Sequence, residues 1–119
     1  MEKKKILSII ILCVICSSMT YAKQWYEGGT LHNSTFREWK AATYQNKLAT
    51  CADYLCCMEE WKEYIYAGGS MSNLKEKAER FVSGLNEFCI GTNEFNFMKI
   101  NEIAAAIYVM ANDLQPYSK

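Results

Sequence analysis

Residues 35–69 read TFREWKAATYQNKLATCADYLCCMEEWKEYIYAGG, and this stretch decides the fold. Thr35-Phe36-Arg37-Glu38 has the pattern of a capping box. The Thr hydroxyl can accept from the backbone N–H of Glu38, while the Glu38 carboxylate reaches back to the N–H of the cap. From there Ala41, Tyr44, Leu48, Cys51, Leu55, Met58 and Ile65 recur at steps of three and four with one turn skipped, and Trp61 flanks the same stripe. Gly68-Gly69 ends the run by supplying a residue that accepts positive φ. One unbroken helix from Phe36 to Tyr66 would be about 46 Å long, against roughly 30 Å across a small domain. The sequence therefore predicts a bend or break near Gln45-Asn46.

Working outward, Ser72 or Asn73 is the expected cap of the next helix, with Glu76 closing an approximate second box. Leu74, Ala78, Phe81, Val82, Leu85, Phe88 and Cys89 form its apolar stripe, and Gly91 stops it. The connector Thr92 to Phe97 is polar apart from Phe95 and Phe97, expected as two aromatic plugs at one end of the core. A last helix carries Ile100, Ile103, Ile107, Met110, Ala111 and Leu114 before Pro116 forbids continuation. No segment alternates with period two long enough to suggest a sheet. The expected fold is all-α: a small bundle of three to four helices with short loops, stapled by a disulfide.

Upstream, the first 22 residues have the pattern of an export signal. Glu2-Lys3-Lys4-Lys5 is a basic start, Ile6 to Ile15 an apolar run, and Thr20-Tyr21-Ala22 a small-residue cleavage pattern. The run is about half the length a bilayer-spanning helix needs, so a removed signal is favoured over an anchor, and no membrane association is expected after cleavage. Leu12 and Ile15 precede Cys13 and Cys16, which argues against an acylated lipoprotein cysteine. The domain expected to remain, residues 23–119, is periplasmic or secreted, with an irregular arm over residues 23–34 around Gly28-Gly29.

Export changes how the cysteines are read. Cys51, Cys56, Cys57 and Cys89 remain in the mature domain, which is small enough that a covalent staple matters. A bond between Cys56 and Cys57 would force an eight-membered ring that helical dihedrals do not accommodate. Cys51 with Cys89 is then the favoured pair; it closes a loop of about 38 residues, worth roughly 4 kcal/mol on the chain-entropy model. Cys89 with Cys56 or Cys57 is the competing pairing. Cys56 and Cys57 lie about 140° and 240° around the helix from Cys51, so at least one should face outward as a free thiol or one that pairs two copies of the chain. The alternative is that both are small buried hydrophobes.

Composition narrows the function classes. Residues 23–119 carry 10 Lys plus Arg against 12 Asp plus Glu with both signs interspersed, so no basic stripe tracks a phosphate backbone and nucleic acid is not an expected partner. Asn33-Ser34-Thr35 is also a glycosylation sequon, but Thr35 is better used as the helix cap. The single His32 lies in the arm without a recognisable companion, and no Cys-x-x-Cys step supports a redox or zinc site. Glu59, Glu60 and Glu63 beside Lys62 read as a solvated helix face. No catalytic residue, cofactor or metal is assigned. A small thiol-dependent enzyme is the minority class, to be tested at Cys56, Cys57 and His32. The three Trp and seven Tyr of residues 23–119 exceed what so small a bundle can enclose, which favours binding to another protein, with Trp25-Tyr26 as the first place to look for the contact.

Thr50-Cys51-Ala52-Asp53-Tyr54-Leu55 and Glu87-Phe88-Cys89 resemble two kinds of small exported bacterial helical protein. HdeA-like acid-stress chaperones join helices through two cysteines after a similar Thr-Cys-x-x-aromatic-Leu step. Rap/Tai-type immunity proteins carry Cys-x-x-Tyr and a later Phe-Cys before a final amphipathic helix. The likeness runs from Thr50 to Leu114. Cys56-Cys57 is extra to both patterns, and Ile90-Gly91 stands where the immunity type has a proline. The stretch from Gly28 to Thr50 is also similar to one in exported bacterial proteins with no assigned role. The first resemblance implies a client protein as partner, and a chain that reaches about +11 below about pH 3 and loosens by self-repulsion. The second implies a toxin as partner, bound by a fold that stays intact at neutral pH.

Overall fold

The computed structural model describes residues 23–88 and 93–119. The expected export signal, Cys89 and the stop at Gly91 lie outside the described residues. Among the described residues there are five α-helices and one 3-10 turn: α1 Phe36–Ala41, α2 Tyr44–Cys56, α3 Glu59–Tyr66, α4 Met71–Phe88, α5 Ile100–Met110 and η1 Asn112–Leu114. Among the described residues there is no strand, only an isolated antiparallel bridge between Thr35 and Lys99. The all-α expectation holds, and the helix number exceeds the three to four expected.

The extra helices come from two cuts in the long amphipathic run. The capping box forms: Glu38 N–H donates to the Thr35 hydroxyl at 3.3 Å, and Thr35 N–H donates to the Glu38 carboxylate at 3.1 Å. The first break then falls at Ala42-Thr43 rather than Gln45-Asn46. Both residues are extended, and the Thr43 hydroxyl caps α2 by accepting from Asn46 N–H at 3.2 Å. The second break is at Cys57-Met58, where Met58 turns extended and α3 starts with Glu59 and Glu60 against its positive end. At the far end of α3, Gly68 adopts φ +87°. Gly68 N–H donates to Ile65 C=O and Gly69 N–H to Tyr64 C=O, a Schellman closure.

The cap of α4 also differs from expectation. Ser70, not Ser72 or Asn73, accepts from the backbone, taking the N–H of Asn73 at 3.3 Å. The Asn73 side chain donates instead to Pro116 C=O at 2.8 Å. α4 is the central element: α2, α5 and η1 all pack on it. It buries Leu74, Lys77, Ala78, Phe81, Val82 and Leu85. These meet Phe36, Trp39, Leu48, Cys51, Leu55, Trp61, Ile100, Ile103 and Leu114 in one continuous core. Only one of the two expected aromatic plugs closes it. Phe95 sits 4.8 Å from Phe88, which stacks on Phe36 at 5.8 Å, while Phe97 is 81% exposed.

Two straps hold the bundle at its ends. The N-terminal arm lies on α2, and the C-terminal tail is gripped by α3 and α4 through three donors to main-chain carbonyls. These are Trp61 Nε1 to Leu114, Asn73 Nδ2 to Pro116 and Lys77 Nζ to Ser118, each at 2.8 Å. Cys51, Cys56 and Cys57 are free thiols here, so no staple is shown. Among the described residues no helix is long and apolar enough to cross a membrane.

Candidate functional site

Helix α2 presents three faces, and each carries a different part of the candidate site. Its inward face buries Leu48, Cys51 and Leu55. Burial pushes the Cys51 thiol far up from its ordinary pKa, so it packs as a neutral group and is no nucleophile.

A second face, Asn46, Thr50, Asp53 and Tyr54, receives the arm. Thr30 N–H donates to Asn46 Oδ1 at 2.9 Å, Leu31 N–H to the Thr50 hydroxyl at 3.2 Å, and Tyr54 OH to His32 C=O at 2.8 Å. His32 Nε2 lies 2.7 Å from Asp53 Oδ2, so the histidine has a companion that the sequence reading did not find. Gly29 makes the approach feasible. A Cβ there would stand 2.6 Å from Thr50 N and 2.9 Å from the Ala49 carbonyl carbon. Chemically this is a latch. Nε2 is occupied by the carboxylate, and among the described residues no Ser, Thr or Cys side chain bonds to the ring as a nucleophile would.

The third feature is the end of α2. Cys56 and Cys57 are both exposed, which overturns the alternative of two buried thiols. Burial chiefly, then Asp53 and Cys57, raise the Cys56 pKa, so it is not an activated thiolate. Cys56 lies on a groove of about 320 Å³ shared with Trp61, Lys62, Ile65 and Tyr66 of α3. Trp61 is wholly buried and pinned by the C-terminal tail, whereas Tyr66 is 96% exposed. The groove thus carries the exposed Tyr66 ring next to a residue, Trp61, that is anchored in the core.

The remaining pair, Trp25 and Tyr26, pack edge to face at 5.4 Å. Trp25 is half-buried against the core and lines a cleft with Gly28, Thr43, Gln45 and Asn46, while Tyr26 is 37% exposed. The cleft adjoins the start of α2 and the cysteines its end, ten residues or about 15 Å along the helix from Asn46 to Cys56. The structure therefore does not bring the two expected sites together. Among the described residues no group of three or more His, Cys, Asp or Glu could hold a metal ion. Comparison with protein-family models, with curated proteins and with solved structures finds no match.

Proposed function

We propose that the chain is a non-enzymatic module that binds another protein outside the cytoplasm, a stress chaperone in the finer reading, through the groove between Cys56 and Tyr66. The observation that carries the proposal is Tyr66, a ring 96% exposed on a groove shared with Cys56, Lys62 and Ile65. Large amphipathic rings at such a rim are favoured protein anchors, because they bring apolar area at little cost in conformational entropy. Acid would loosen the molecule at the Glu38 carboxylate, whose hydrogen bonds with Thr35 close the cap of α1. The proposal includes a Cys51–Cys89 bridge, which export would allow and which would tie α2 to the segment after α4. The resemblance to HdeA-like proteins supports both export and client holding.

The test is light scattering of an acid-denatured model client at about pH 2 to 3. Wild-type protein keeps the client soluble, and no suppression removes the chaperone reading. Tight one-to-one binding of an exported toxin at neutral pH, without client holding in acid, would assign the immunity reading instead.

A further inference from the structure

A second groove, of about 480 Å³, runs along the solvent side of α4 against α5 and η1. Ile107, Ala111 and Leu114 supply its apolar lining, with Ile107 lying over Gly84 of α4. Its rim is acidic. Glu76, Glu79 and Glu87 come from one face of α4 and Asp113 from η1, against Arg80, the single cation among the described residues that line the groove. Arg80 is already engaged, at 2.8 Å from Glu76 and 3.9 Å from Asp113. Glu79 and Glu87 have no ion-pair partner among the described residues. Half-exposed Tyr44, from α2, forms the opposite wall.

Gly84 is the informative residue. It stands inside an 18-residue helix, where glycine is worse than alanine, and its φ is not positive. A Cβ there would meet only the Ile107 methyl, at an ordinary 3.6 Å. The fold does not require glycine at this point. What glycine does provide is a floor left level and open.

We infer that this groove docks a basic amphipathic segment of a partner protein, its apolar side chains on the Gly84 floor and its Lys or Arg side chains against Glu79 and Glu87. The inference rests on the protein-binding reading above and names the chemistry of one partner. Glu79 and Glu87 are eight residues apart, about 12 Å along α4, which matches cations two turns apart on an apposed helix. Charge complementarity would set register and speed encounter, while the apolar floor would hold the segment in place.

The experiment uses the intact mature chain and a fluorescein-labelled helical peptide of about 15 residues, Leu on one face and flanking Lys two turns apart, read by anisotropy. Binding should weaken with added salt and be absent for the Glu-for-Lys peptide. Glu79→Gln with Glu87→Gln, and separately Gly84→Leu, should each weaken it about tenfold. Glu59→Gln with Glu63→Gln, on α3, should leave it unchanged, and thermal melts establish that every variant is folded.

Equal loss in the α4 and α3 charge variants would reduce the effect to net charge and overturn the inference. So would spermidine binding at the groove while the peptide does not bind, or a change in oligomeric mass caused by the groove variants. Client holding reads the Tyr66 groove: peptide binding lost with client holding intact overturns this inference alone, and loss of both overturns the parent reading.

Discussion

The ammonium of Lys77, on a side chain 1% exposed, donates to the carbonyl of Ser118 at 2.8 Å. A buried charge without an acceptor is strongly disfavoured, so the last residues of the chain are part of the core's polar accounting. Removing Ser118-Lys119 should cost about 2 to 3 kcal/mol in urea unfolding. Lys77→Met, which removes the charge and keeps the volume, should make the truncation nearly neutral. A truncation that costs the same in both backgrounds would show that the bond contributes nothing.

The arm depends on the absence of a side chain at residue 29. Gly29→Ala places a methyl within 2.6 Å of the α2 backbone at Thr50. The arm must lift, separating His32 from Asp53 and Leu31 from the core. A loss of about 1 to 3 kcal/mol is expected, with faster proteolysis confined to residues 23–34. Unchanged protection of the arm would contradict the latch.

Thr35 sets a dependence on acid. Its backbone N–H, then its hydroxyl, hydrogen-bond the Glu38 carboxylate and hold the pKa below the usual value. A depressed carboxyl contributes stability above its unfolded pKa, about 4.3, and the contribution is lost as pH falls through the folded value. Thr35→Ala should lower the Tm by about 4 to 8 °C at neutral pH. The difference from wild type should shrink below about pH 4. A constant difference across that range would show that the Thr35 hydroxyl does not act on the Glu38 carboxylate.

Thiol chemistry separates the cysteines. Cys56 and Cys57 are exposed and Cys51 is buried, so a water-soluble disulfide reagent should label the first two in the folded chain and leave Cys51 untouched. Denaturation without reductant should release no further thiol if the proposed Cys51–Cys89 bridge is in place. Release of the Cys51 thiol on denaturation would contradict it.

What was legible in the sequence was local. Thr35 and Glu38, three residues apart, and Gly68-Gly69 signal their motifs within one turn of chain, and both form as expected. The break near Gln45 was displaced because the Thr43 hydroxyl, not a bend inside the apolar stripe, determines where α2 begins. His32 and Asp53 are 21 residues apart, and their meeting depends on Gly29 letting the arm lie against α2. Nothing local announces that path. Lys77 reads as a polar position beside an apolar stripe, and it is buried because the tail, 41 residues on, supplies its acceptor. The acidic stripe of Glu76, Glu79 and Glu87 is visible in the sequence, but the groove beneath it exists only once α5 and η1 pack on α4.

The most direct measurement places an environment-sensitive fluorophore on Cys56, in a Cys57→Ser background, at the edge of the proposed contact groove. Mixed with an acid-denatured client at about pH 2 to 3, the dye should shift to the blue and brighten as the client stays soluble, and Tyr66→Ala should lose both effects together. A dye that remains fully hydrated while the client is kept in solution would contradict the assignment of this groove as the binding surface, and a client that aggregates regardless would contradict client holding itself.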